Sequence, residues 1–236
     1  MYSLNQLTTL LRSSFLFEDL PEEDLAILAR SGQVKSYKAG EIIMRQSQQF
    51  QAFYLVISGR IKLSRISYEG KEQILNLFRP GETFCLVHTF SEDGAPGNFV
   101  ALKDSIVFVI SGNTFKNLVQ EEPNLMFKIL SILSYKLKQA MDTITFLSLM
   151  DVPQRLAAFF VQTASIDKKT GQSVIGLNIS QRELAKIIGV APETMSRVIK
   201  KMVEKGLIAV RGREFHILDQ EQLQKLSSGE LRMEWK

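Results

Sequence analysis

The residue run with the clearest chemical use is Glu193-Thr194-Met195-Ser196-Arg197, which follows Pro192. On a helix, Glu193, Ser196 and Arg197 share one face, because side chains three and four positions apart are neighbours. Arginine fits guanine O6 and N7 in the DNA major groove, glutamate accepts from the cytosine amino group, and serine pairs with several bases. These three are the expected base readers. Thr194, Lys200 and Lys201 beside them, and Ser180, Gln181, Arg211 and Arg213 nearby, are of types that contact phosphate.

The charge distribution agrees with that use. Residues 1–150 hold 15 Lys/Arg and 15 Asp/Glu, so the net charge of +4 lies wholly in residues 151–236. Eight basic residues (Arg182, Lys186, Arg197, Lys200, Lys201, Lys205, Arg211, Arg213) and three acidic ones (Glu183, Glu193, Glu204) fall between Ser180 and Arg213. Such a surplus suits a phosphate-contacting surface, although a solvated helix face reads the same way from charge alone.

Catalytic patterns are missing from the sequence. It has no phosphate-binding Gly-rich loop and no Gly-x-Ser-x-Gly, and its two histidines, His88 and His216, are far apart. One cysteine, Cys85, excludes an internal disulfide framework, and no metal ligands cluster at usable spacing. No run of eighteen apolar residues is present to span a membrane, and the start lacks a secretion signal, so the cytoplasm is the expected compartment.

The elements that must hold Glu193, Ser196 and Arg197 are legible around them. Ser180-Gln181-Arg182-Glu183 is a capping box. The helix it starts carries Leu184, Ala185, Ile187 and Ile188 and meets Gly189. Pro192 then opens a second helix, with Met195, Val198, Ile199 and Met202 on one face and Gly206 as its C-cap. Two helices crossing steeply need a small residue at contact (Ala185) and a turn residue tolerant of positive φ (Gly189). This is a helix-turn-helix, with Leu184, Ile188, Val190, Met195 and Val198 buried and Ala191, Pro192, Glu193, Ser196, Arg197 and Lys200 outward. Leu207–Val210 and Glu214–Leu218 flank Arg211-Gly212-Arg213 as a basic-tipped hairpin, a wing. A further helix is expected from about Pro153 to Ala164, followed by a polar turn at Asp167–Gly171.

Upstream, Met126, Leu130, Leu133, Leu137, Ala140, Ile144 and Leu147 recur at alternating spacings of four and three. That is a heptad seam, the mark of a parallel coiled coil between two chains, and a long helix packed on its own domain uses a similar stripe. Leu130, Leu133, Leu137, Ala140, Ile144 and Leu147 are the expected dimer contacts. Asp151-Val152-Pro153 breaks the pattern as a hinge.

From Gly40 to about Ile110 short apolar runs alternate with turn signals: Phe53–Ile57, Ile61–Ile66, Gln73–Phe78 and Ile106–Ile110. These predict an antiparallel sandwich or barrel, with a helix starting near Pro21 ahead of it. The fold class is α+β: a sensing β-barrel domain over 1–122, a dimerisation helix over 123–150, and a winged helix-turn-helix over 151–236.

This order, together with Pro192–Arg197, resembles the Crp/Fnr family of bacterial regulators from about Phe15 to Leu226. The Glu193-x-x-Ser196-Arg197 motif is closer to the Fnr-like branch. The resemblance implies a cyclic-nucleotide-binding-like jelly roll, a homodimer on a palindromic TTGA-type operator, double-stranded DNA and RNA polymerase as partners, and a small-molecule effector. An alternative is a cyclic-nucleotide-binding-like regulatory module of an enzyme or partner protein, without specific DNA binding.

The sensor half departs from the family's best-known members. Gly81-Glu82 matches the opening of a cyclic-nucleotide phosphate cassette, but Ala95-Pro96-Gly97-Asn98 stands where an Arg-Ser pair would take the phosphate. No arginine follows Arg79 in the barrel, and Lys103 is placed in a later strand, which argues against cyclic AMP. The cysteines of an amino-terminal iron–sulfur cluster are absent. Phe84-Cys85-Leu86-Val87-His88 resembles a haem-ligating stretch of gas-sensing relatives, with one extra residue between Cys85 and His88 as possible ligands. On a strand these two point to opposite faces, and the plainer reading is a small buried Cys85 with a structural His88. The expected effector pocket is Gly81, Glu82, Phe84, Cys85 and His88, with Leu133, Tyr135, Met141 and Phe146 on the long helix placed to feel an effector of unknown identity.

Overall fold

The computed structural model describes residues 2–49, 52–90, 94–166, 173–175, 179–212 and 214–234. The chain divides into two compact units between Leu137 and Lys138.

In the first unit α1 (Leu4–Arg12) and α2 (Glu22–Ser31) precede the strands. Helix α1 has a capping box of Ser3 and Gln6 that the sequence reading overlooked. Pro21 is the N-cap of α2, and Glu22, Glu23 and Asp24 suit its positive end. The strands are β1 (Gln33–Tyr37), β2 (Ile42–Met44), β3 (Ala52–Ser58), β4 (Ile61–Ile66), β5 (Glu72–Phe78), β6 (Thr83–Phe84), β7 (Asn98–Ala101) and β8 (Ser105–Ser111). Helix α3 (Leu86–Phe90) lies between β6 and β7, and α4 (Gly112–Glu121) follows β8.

The strands form two antiparallel sheets, ordered β1-β8-β3-β6 and β2-β7-β4-β5. The expected barrel is therefore a two-sheet jelly roll and does not close. Strand β3 explains why its sequence is apolar throughout. Its side chains alternate between two cores, as strand geometry requires. Tyr54 and Val56 meet Phe78, Phe84, Phe99 and Val107 between the sheets. Phe53 and Leu55 meet Phe17, Leu25, Phe115, Leu125 and Ile129 on the outer face. Each such fully buried large side chain contributes about 1.5–3 kcal/mol.

One strand expectation is corrected, and a segment left open is assigned. Lys103 lies in the turn between β7 and β8, not in a strand. The run Phe84–His88 is not one strand either: β6 ends at Phe84, Cys85 takes φ +64°, and α3 begins at Leu86.

Helix α5 (Pro123–Leu149) runs unbroken across the division between the units. Leu125 and Ile129 are buried in the first unit's outer core, with Ile132 and Leu133 partly so. Phe146 packs on the core of the second unit. These contacts agree with a division that falls inside the helix, ahead of the break at Asp151.

The second unit continues with α6 (Val152–Thr163), β9 (Ser165–Ile166), β10 (Ser173–Ile175), α7 (Gln181–Ile188), α8 (Pro192–Glu204), β11 (Ile208–Arg211), β12 (Glu214–Ile217) and α9 (Gln220–Ser228). Asp151 caps α6 reciprocally with Gln154, and Pro153 sits in its first turn, where proline costs no hydrogen bond. The wing hairpin β11–β12 belongs to a four-stranded sheet, β11-β12-β10-β9. The expected polar turn at 167–171 lies outside the described residues. One core joins Leu156 and Phe160 of α6 to Leu184, Ile188, Met195, Val198, Met202, Phe215 and Leu223.

Candidate nucleic-acid interface

The first helix of the pair, α7, is closed at both ends. The Ser180 amide donates to Glu183 Oε2 at 2.8 Å, and the Glu183 amide donates to Ser180 Oγ at 3.2 Å. The Ser180 hydroxyl also donates to Glu183 Oε2 at 2.9 Å, so this side chain, expected on phosphate, is engaged within its own cap. At the other end Gly189 takes φ +76°, and the amides of Gly189 and Val190 both return to the Ala185 carbonyl. Ala185 is fully buried, as a helix crossing demands.

Helix α8 divides cleanly into two faces. Met195, Val198, Ile199 and Met202 are buried. Glu193, Ser196, Arg197, Lys200 and Lys201 are exposed, with Thr194 half-buried. Val190, expected in the core, is only half-buried against it. Lys200 and Lys201 approach Glu204 at 3.9 and 3.7 Å, loose exposed pairs that leave their charge available. Gly206 lies one residue beyond the cap, Lys205, with φ +70°. Its amide bonds the Val203 carbonyl and that of Leu207 bonds Met202, the double bond of a Schellman ending. Gln181 and Arg211 are exposed, the latter beside Gly212 at the wing tip. Arg213 lies outside the described residues.

One residue that the sequence reading passed over joins this site. Arg155 of α6 donates through Nη1 to the Ile188 carbonyl at 3.0 Å. Its partner is a backbone atom thirty-three residues away, so no local pattern signals it.

The residues expected to line the effector pocket are placed differently from one another. Gly81, at φ +85°, donates its amide to the Val56 carbonyl at 2.9 Å. Glu82 accepts the Arg79 amide at 3.0 Å, closing its own turn. Phe84 is fully buried, stacked on Tyr54 at 4.7 Å and Phe99 at 5.1 Å, with Phe78 at 5.5 Å. Cys85 is buried beside it, and burial pushes its thiol pKa well up. Those surroundings suit a core thiol, whereas metals take the thiolate. The backbone of His88 lies in α3, and its side chain is outside what is described. Ala95 is buried, and the Pro96 carbonyl accepts Arg65 Nε at 2.5 Å. Among the described residues no group of three or more His, Cys, Asp or Glu side chains could hold a metal ion.

Comparison with known proteins settles the family. Residues 34–122 match the cyclic nucleotide-binding domain, and residues 154–226 match the Crp-like helix-turn-helix domain. The transcriptional activator protein Anr of Pseudomonas protegens is 31% identical over 194 residues, covering 81% of this chain and 79% of that protein. The chain belongs to the Crp/Fnr family of transcription regulators. As in that family, it is a sequence-specific DNA-binding regulator with a cyclic-nucleotide-binding-like sensor domain. Among solved structures, DNR from Pseudomonas aeruginosa is 28% identical, with a TM-score of 0.50, over 96% of this chain and 100% of that one. A CooA mutant from Carboxydothermus hydrogenoformans shares the fold at a TM-score of 0.78 and 23% identity, over 94% of this chain and 99% of that one. Neither matching family is a catalytic one. No helix among the described residues is long and apolar enough to cross a membrane.

Proposed function

We infer that two copies of this Crp/Fnr regulator join along α5 and lay their α8 helices in successive major grooves of a palindromic TTGA-type operator, about one helical turn apart. Glu193, Ser196 and Arg197 read bases, while Thr194, Lys200, Lys201 and the wing hold phosphates. The first unit takes an unidentified small-molecule effector, RNA polymerase is the protein partner, and the regulator works in the cytoplasm without catalysing a reaction.

The observation that carries this reading is the exposed row Glu193, Ser196 and Arg197 on a helix anchored by a fully buried opposite face. The α5 surface supports the dimer: Leu130, Leu137 and Ile144 are 53%, 63% and 65% exposed, with Met126, Met141 and Leu147 alongside them. An apolar stripe of that length is the kind of surface that partners cover.

A gel shift with a palindromic TTGA-type duplex and a scrambled control tests the reading. A retarded band with the first that survives excess of the second is expected. Equal binding to both would defeat the operator assignment. Effector control is tested separately, since coupling must be reciprocal: a molecule that changes DNA affinity is itself bound more tightly or weakly by the same factor when DNA is present.

A further inference from the structure

Arg155 stands on the second turn of a helix, α6, whose Val152, Leu156, Ala157 and Phe160 fill the core of the second unit. Its guanidinium donates to the carbonyl of Ile188, the last residue of α7. That oxygen is one of the helix-terminal carbonyls left without an intrahelical donor. The C-terminal end of a helix also carries partial negative charge, which a guanidinium suits. At the same point the amides of Gly189 and Val190 turn back to Ala185 at 2.9 and 3.0 Å. The turn is therefore held by its carbonyl from α6 and by its amides from α7.

The next helix depends on that turn. Ala191, the N-cap of α8, supplies no side-chain hydrogen bond, and Pro192 has no amide to give. The direction of the first turn of α8, where Glu193, Ser196 and Arg197 begin, is thus set from beneath and from the turn before it. Arg155 is held there at some cost. Its Nε is buried without a hydrogen-bond partner among the described residues. Burial pulls its pKa below the ordinary arginine value, and the Asp151 carboxylate one turn earlier opposes that. A partly desolvated cation with one donor unused is poor value for stability alone.

We propose that Arg155 is a positioning residue for DNA reading: by tying the end of α7 to α6 it fixes the pose of α8, without touching DNA. Base contacts tolerate displacements of only about half an ångström. Lysine and backbone contacts to phosphate are more forgiving and carry no sequence information. Loss of the clamp therefore removes selectivity while leaving non-specific affinity.

The test uses the full chain and two duplexes: one enriched by the wild-type protein from a random-sequence pool, and its shuffled counterpart. Enrichment makes the test independent of the TTGA assignment. R155M keeps the apolar stem and removes the donor, and should weaken the enriched duplex about tenfold, the loss of one charge-assisted hydrogen bond. The shuffled duplex should change less than about twofold. R155K restores a donor and should recover most of the selectivity. Amide exchange should quicken at Gly189 and Val190 in R155M and stay unchanged at Leu223 of α9, which a general loosening would also expose. Should R155M not fold, R155L, which also lacks a donor, is read against the same two duplexes with the same expectation. Equal weakening on both duplexes, wild-type selectivity in the donor-free variant, or unchanged exchange at Gly189 and Val190 would overturn the proposal.

Discussion

Ser180 and Glu183 close each other's backbone: each amide donates to the other's side chain, at 2.8 and 3.2 Å. Because the Ser180 hydroxyl is spent on this cap, its removal is expected to act on folding more than on phosphate. Ser180→Ala should cost about 1 kcal/mol of stability, read from urea denaturation. The DNA affinity of the folded protein should change less than about twofold. A loss of about tenfold on every duplex, with stability unchanged, would return Ser180 to the phosphate contacts.

The exposed stripe on α5 predicts the outcome of Leu137→Asp. In a two-chain seam this sets like charges against each other in an apolar interface and costs several kcal/mol. Sedimentation should find monomers, and affinity for a palindromic duplex should collapse. A variant that remains fully dimeric would place the interface elsewhere.

Arg197→Ala and Lys201→Ala should differ in kind. The first should cost about 1–3 kcal/mol and relax preference at one base pair, as for a lost bidentate guanine contact. The second should weaken all duplexes alike and lower the salt slope by about one. Like behaviour of the two would undo the division of roles on α8.

Cys85 predicts a pH dependence. Burial raises the folded thiol's pKa, while the unfolded chain ionises near about 8.5. The stabilisation is therefore fully present below that value and declines as pH rises beyond it, because the unfolded state then sheds a proton that the native state keeps. Between about pH 8 and 9.5 the urea midpoint of the wild type should fall more steeply than that of Cys85→Ala. Iodoacetamide should label the native protein far more slowly than the denatured one. Parallel midpoints in the two proteins, or fast native labelling, would show an accessible thiolate.

How much could be read in advance followed the range of the interactions. The helix-turn-helix was legible because its constraints are local: the Ser180–Glu183 cap, Ala185 at the crossing, Gly189 at positive φ and Pro192 at a helix start all lie within a short window. The heptad pattern on α5 was equally visible, but Leu125 and Ile129, which bury the adjacent stripe, were not separable from it by spacing. Strands β9 and β10 are too short to show a period. The apolar run after β6 did not show whether it is strand or helix, and the left-handed backbone of Cys85, which sequence does not signal for a cysteine, leads into α3. The Arg155–Ile188 contact joins elements that only the tertiary fold brings together.

Between the sheets of the first unit, Tyr54, Phe84, Phe99 and Phe78 form a run of touching rings. Any molecule entering there displaces ring–ring contacts worth about 0.5–1.5 kcal/mol each before it makes its own. Arrival would therefore be timed by the breathing of the sandwich, slower than diffusion and steeply dependent on temperature. Its calorimetric mark would be a negative change in heat capacity, since apolar surface on the guest leaves water as the rings close over it.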